Sequence, residues 1–269
     1  MIITIPYNWH KGLGTQICTI SAIADSQYDT VKFLKNTPEY DNFKFFVDYY
    51  NLDLNIILGQ PEIIDNEIWF EDHPKIFSPY IKKDIKYKDN KYICLSMYQN
   101  LPQYLVDDTA NNYPFNKMYT LDQYSEIFKL SRKFGYDIVT MDSVHTTIQE
   151  KLNLLSKCRV VIGYEGGILH LAHTLGIPCI MLPWRDASVA PSNITELLHL
   201  DLKTYFLRDI NELLNMNKKR FHKTLHLLDD NKGNNSVVHT PFRKKMLRGL
   251  NISKQEIKLL PEHRKLGGF

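Results

Sequence analysis

Apolar positions along this chain switch repeatedly between short runs and a helical period. Ile2 to Pro6, Thr30 to Leu34, Leu54 to Leu58 and Glu67 to Phe70 are runs of strand length. Between them Leu13, Ile17, Ile20 and Ala24 repeat at helical spacing, and a second helix is predicted over Pro38 to Tyr50. The pattern resumes after a polar, charged stretch at residues 81–91. It predicts a strand over Tyr92 to Met97, a helix over Leu121 to Lys133 closed by Gly135, and a strand over Asp137 to Thr140. Thr146 or Thr147 then caps a helix carrying Ile148, Leu152 and Leu155. Further on, a helix is expected near Ser192 to Leu200 and one long helix from about Ile210 to Leu228. Such alternation implies parallel sheets with helices on both faces.

The densest pattern is Arg159 to Trp184. Arg159 to Ile162 is a β-branched run bounded by glycine, read as a buried strand. From Gly167, the residues Ile168, Leu171, Ala172 and Leu175 mark one face of a helix, which Gly176 and Pro178 end. Cys179 to Leu182 is the next strand, completing a βαβ unit. In such a unit a ligand sits beyond the carboxyl end of the first strand, where amides of the helix N-terminus face an anion. Gly166 and Gly167 would let a phosphate approach the backbone. His170 would reach a phosphate or sugar oxygen, and Glu165 would accept hydrogen bonds from ribose or sugar hydroxyls. The same residues also serve as a tight turn and an amphipathic helix in which His170 is a satisfied, partly buried side chain.

Other residues gather at predicted carboxyl ends. After the first strand, Gly12 and Gly14 form a glycine turn with Thr15 beside it, and His10 lies in the same loop. Asp142, Ser143 and His145 follow the strand that ends at Thr140, and Trp184 and Arg185 follow the strand that ends at Leu182. Trp184 would stack on a base or sugar, or simply close the core. Arg185 would pair with a phosphate.

The segment E-G-G-x-x-H-x-A-x-x-x-G-x-P, Glu165 to Pro178, resembles the donor-site segment of heptosyltransferase-like glycosyltransferases of the GT-B architecture. That resemblance implies two small Rossmann-like α/β domains in a GT-B arrangement. It implies a nucleoside diphosphate sugar as co-substrate, no cofactor, and no metal, in keeping with the lack of a D-x-D motif. The family opens with a strand, a G-x-G-type turn and a helix, which Gly12-x-Gly14 matches. Where those enzymes often carry an aspartate as acceptor base, this chain has Thr15, which cannot act as a base. His10 is the nearer substitute, and Asp25 falls about three turns further on. A catalytically silent nucleotide-sugar-binding module is therefore the alternative reading.

Composition and charge add the acceptor question. The 269 residues, 43% hydrophobic and 12% aromatic, are those of a globular protein. Cys18, Cys94, Cys158 and Cys179 lie far apart without metal-ligand spacing and are expected as core thiols. No apolar run is long enough to span a membrane and the start lacks a signal-peptide pattern, so the expectation is a cytoplasmic protein, in the host cytoplasm if phage-encoded. The net charge of +3 is uneven: from residue 217 onward thirteen Lys and Arg face four Asp and Glu, a net +9 that leaves −6 for the rest. That segment implies an anionic partner, duplex DNA or a phosphorylated glycan, with Arg243, Lys244 and Lys245 as phosphate contacts. Compact phage glycosyltransferases of this general architecture modify hydroxymethylated bases in DNA, whereas the heptosyltransferase resemblance implies a lipopolysaccharide or other cell-surface glycan. The expected organisation is an acceptor-side domain over 1–90, a nucleotide-sugar domain over 91–230 and a basic, partly helical segment over 231–269.

Overall fold

A computed structural model describes residues 1–5, 12–26, 28–59, 67–69, 81–96, 121–141, 147–164, 167–182, 203–207 and 210–230. The chain divides into two compact units, Met1–Lys83 and Asp84–Phe269. Both are built on parallel sheets, so the α/β class read from the hydrophobic pattern holds.

The first unit contains β1 (Ile2–Ile5), α1 (Leu13–Ala24), β2 (Thr30–Phe33), α2 (Pro38–Tyr50), β3 (Asn55–Leu58) and β4 (Glu67–Trp69). Its sheet runs β3-β2-β1-β4, with every pair parallel. Pro38 occupies the first turn of α2, where its missing N–H costs nothing, and Asn51 ends the helix in the left-handed region at φ 53°. Phe33 meets Phe43 edge-on with ring centres 5.2 Å apart, which fixes the side of the sheet that α2 covers.

The second unit runs β5 (Tyr92–Ser96), α3 (Leu121–Phe134), β6 (Asp137–Thr140), α4 (Ile148–Leu155), β7 (Cys158–Tyr164), α5 (Gly167–Thr174), β8 (Cys179–Leu182), β9 (Thr204–Phe206), α6 (Ile210–Leu214) and α7 (Lys218–Asp230). The strand order is β6-β5-β7-β8-β9, all parallel. Ile93, Leu95, Val160, Ile162 and Ile180 form one face of the core, with Leu130 and Phe134 of α3 and Phe221 and Leu225 of α7 packed on it. Phe134 and Phe221 stack with centroids 4.1 Å apart. On the other face α4 and α5 pack against each other and against β7. Asn90, in the polar stretch ahead of β5, donates to the carbonyls of Ser156 and Cys158 and so binds that stretch to the second unit.

Two sequence expectations need correction. Residues Ile210 to Leu228 do not form one helix, because Asn217 starts a new one: its carboxamide oxygen accepts the Arg220 N–H at 2.8 Å while Met216, 1% exposed, turns into the core. The strand β9 has no counterpart in the sequence reading. Its three residues pair with Cys179–Met181, and so short a run carries no periodicity. The helix expected near Ser192 to Leu200 lies outside the described residues.

A buried polar knot joins the amino edge of this sheet to α7. Arg159 donates to Asp229 at 2.6 Å with both side chains at most 7% exposed, and the Tyr87 hydroxyl reaches the other Asp229 oxygen at 3.3 Å. Burial, reinforced by the Asp229 charge, holds the Tyr87 hydroxyl pKa well above a tyrosine's ordinary value. Burial raises Tyr136 and Tyr205 in the same direction. The unfolded chain loses these protons near pH 10 while the folded chain keeps them, so stability is intact below about pH 10 and falls as pH rises above it. Urea midpoints measured from about pH 8 to about pH 11 should show that falling limb, and Tyr87→Phe should make it shallower. An alkaline limb of the same slope in both proteins would remove Tyr87 from the linkage.

Candidate functional site

Parallel strands place all their carboxyl ends at one edge, and β7, α5 and β8 form the βαβ unit anticipated from the sequence. The strand is longer than its β-branched core, extending over Cys158–Tyr164. The helix closes with a paired cap: Gly176 N–H donates to His173 O and Ile177 N–H to Ala172 O, each at 3.0 Å, with Gly176 at φ 70°. In contrast to an amphipathic helix, α5 is buried on every side from Ile168 to Thr174. It is enclosed by β7, β8 and α4, and a helix in that position keeps no polar face.

The two histidines of α5 are both in the core. His173 is 3% exposed, and its Nε2 lies 3.0 Å from the Thr204 hydroxyl, tying α5 to β9. His170, one turn into the helix, is 1% exposed. Gly167 is half-buried at the helix start, and the first turn of α5 contains no acidic residue. By contrast, Glu39 and Asp41 stand in the first turn of α2, and Glu150 in that of α4. The start of α4 is further closed by its own capping box: Thr147 Oγ1 accepts the Glu150 N–H at 3.2 Å and Glu150 accepts the Thr147 N–H at 2.7 Å. Those hydrogen bonds hold the Glu150 carboxyl below the usual range.

Gly163, which the sequence reading did not single out, shapes the approach to this helix. It pairs with Ser96 at the carboxyl end of β5. A Cβ there would land on the Ser96 carbonyl oxygen and within 2.9 Å of its carbon. The sequence reading took this glycine only as the boundary of the Arg159 to Ile162 run; inside the longer strand it is the usual mark of close backbone approach.

In the first unit Gly12 is the N-cap of α1, exposed, at φ −59° and with no side-chain cap. A Cβ added to it would meet nothing within 4 Å. Gly14 is buried in the first turn, where Thr15 follows, and that turn too lacks acid. Asp25 caps the opposite end of α1, roughly 20 Å along the axis from Gly12, so the two do not converge. His10, Asp142, Ser143, His145, Glu165, Gly166, Trp184, Arg185, Arg243, Lys244 and Lys245 lie outside the described residues.

No protein-family model and no curated protein matches the sequence. Solved structures do show likeness, two of them as follows. One is the iron-containing dodecameric glycosyltransferase TibC of enterotoxigenic E. coli, with a TM-score of 0.49 and 13% identity over 85% of this chain and 75% of that one. The other is the heptosyltransferase TibC in complex with ADP-D-beta-D-heptose, with a TM-score of 0.43 and 12% identity over 85% of this chain and 76% of that one. At that distance neither protein's chemistry carries over to this chain. Iron is named for that protein; among the described residues here, no group of three or more His, Cys, Asp or Glu side chains is placed to hold a metal ion. No described helix is long and apolar enough to cross a membrane. Cys94, Cys158 and Cys179 are thiols buried in the core, and Cys18 is a half-buried thiol. The Cys158 hydrogen bond and burial push the Cys94 thiol well up, and burial does the same to Cys179, which makes both poor nucleophiles.

Proposed function

We propose that the chain is a glycosyltransferase that moves a sugar from a nucleoside diphosphate sugar to a hydroxyl acceptor. The observation that carries this reading is the start of α5 at Gly167, which has no acid of its own and opens at the carboxyl edge of a parallel sheet. That geometry suits a diphosphate, and it lies inside the Glu165 to Pro178 segment that resembles a glycosyltransferase donor site. In this reading the amides of Gly166 and Gly167 hold the diphosphate and take up the charge that develops as it leaves, and His170, buried in α5, supports the turn from the core side instead of touching the phosphate. Glu165 accepts from sugar hydroxyls, while Asp142, Ser143, His145, Trp184 and Arg185 complete the donor pocket. The glycine turn at Gly12, Gly14 and Thr15 is assigned a part in donor binding by the same resemblance. His10 serves as the base on the acceptor hydroxyl, Asp25 being set aside by its place at the far end of α1, and no metal is required.

The acceptor is either a hydroxymethylated pyrimidine in DNA or a cell-surface glycan. A second reading, a silent nucleotide-sugar-binding module, draws on Thr15, which offers no base where one is expected.

A panel of nucleotide sugars tests donor binding, because a ligand that binds only the folded state raises the melting temperature. Turnover with each acceptor class then separates the enzyme from the silent module. Gly12→Ala sharpens the test. At φ −59° and in open space the new methyl should leave stability unchanged within about 0.5 kcal/mol, so a lower transfer rate would report a ligand against that backbone. Wild-type rates and donor affinity in Gly12→Ala would remove this turn from the site, and a panel without any melting shift would reject the donor reading altogether.

A further inference from the structure

We propose that the amino edge of the second unit's sheet is a docking surface for the phosphate backbone of nucleic acid. All five strands are parallel, so the segments entering them meet at one edge, and four of the five bring in a cation. Lys91 precedes β5, Arg132 and Lys133 close α3 ahead of β6, Lys157 precedes β7, and Lys203 precedes β9. The exception, β8, is entered through Pro178. There the Lys203 ammonium reaches across to the Gly176 carbonyl at 3.2 Å and fills the gap.

These cations are far apart in sequence and share one edge in space. Along the order β6-β5-β7-β8-β9, Lys133, Lys91 and Lys157 lead into three neighbouring strands about 4.8 Å apart, and Lys203 leads into β9, one strand beyond β8. Hydrogen bonds hold the row in place: Lys91 O accepts from Asp137 N at 2.9 Å, and Lys203 O accepts from Cys179 N at 2.7 Å. The Asn90 amide, bonded to Ser156 O and Cys158 O, spans the turn that holds Lys157. Lys91, Arg132, Lys133 and Lys157 are all exposed. The row continues onto α7, whose Lys218 ammonium lies over Gly135, just past Lys133, and whose outer face carries Lys219 and Lys223.

Opposing charges do not neutralise it. Asp84, Asp89, Asp137 and Asp230 are exposed near the edge, but Lys86 and Lys88 stand in the same segment as Asp84 and Asp89, Asp229 is already bound to Arg159, and the cations outnumber the remaining carboxylates. A row of this kind complements a polyanion carrying one charge per about 1.7 Å of duplex axis. Its lysines are flexible point charges, suited to contacts that read no sequence. A lipid surface fits less well. Tyr92 and Leu227 are the exposed large hydrophobics among this unit's described residues, too little apolar surface to enter a bilayer. The surface lies at the edge opposite the α5 N-terminus, so it does not depend on the donor site.

The test uses the full chain and a short labelled DNA duplex, with the dissociation constant followed over a range of salt. Wild type should bind with a log–log slope near −0.9 per phosphate neutralised, and the pair Lys91→Glu with Lys157→Glu should flatten that slope by about 1.8 while the melting temperature holds. If that pair fails to fold, Lys91→Gln with Lys157→Gln is read by the same slope. Three results would each overturn the proposal. They are no duplex binding at about 50 mM salt, binding to phosphatidylserine vesicles in place of duplex, or a slope changed only by reversing Arg243, Lys244 and Lys245.

Discussion

Asp229→Ala should be the most damaging single substitution outside the apolar core, at about 3–5 kcal/mol, because it leaves a buried guanidinium without its counter-ion. Arg159 is only 6% exposed on its side chain, and one of its terminal nitrogens is already buried without a hydrogen-bond partner. Once the carboxylate is gone, what remains beside it is the Tyr87 ring, 5.4 Å from the guanidinium carbon. That contact contributes about 2 kcal/mol at most. The loss should appear as a lower urea midpoint with an unchanged slope. Replacing both partners, Arg159→Met with Asp229→Leu, should restore much of it, since apolar groups of similar volume need no counter-ion. A loss under about 1 kcal/mol for Asp229→Ala would mean that solvent screens the pair as it does at a surface.

Gly163→Ala should cost about 1–3 kcal/mol and, on the function proposed above, weaken donor binding at the same time. The added methyl meets the Ser96 carbonyl, which is backbone inside a paired strand and cannot swing aside. β5 and β7 must therefore part at their carboxyl ends. The displacement passes to Tyr164, the last residue of β7, and so to the turn that leads into α5. Donor-induced thermal stabilisation should shrink relative to wild type even where the variant is fully folded. Wild-type stability would show that the strands already have slack at this position. Lost stability with unchanged donor binding would place the ligand away from this edge.

Most elements were legible because their signals are local. Pro38 at a helix start, a threonine cap at Thr146 or Thr147, Gly135 and Gly176 at helix ends, and β-branched runs bounded by glycine each act within one or two turns of chain. The βαβ unit read from Arg159 to Leu182 therefore followed from the sequence, as did the parallel class of both sheets. Where two local signals competed, the pattern failed. Apolar spacing runs on through Met216, so nothing in the period reveals that Asn217 caps a second helix. At three residues, β9 is recognisable only through its partner β8.

Burial and proximity were decided by the tertiary structure. The sequence reading singled out His170 in the first turn of α5 and passed over His173. Only the packing of that helix among β7, β8 and α4 makes both of them core side chains and binds His173 to Thr204. Strand register made Gly163 indispensable by setting it against Ser96, a residue 67 positions earlier. The sheet's parallel order likewise set Lys91, Lys133, Lys157 and Lys203 along one edge. The physical reason is the range of the signal. Propensity, capping and periodicity are written in adjacent residues, whereas the contacts that set burial, charge density and close approach form between residues that are remote in sequence until the sheet assembles.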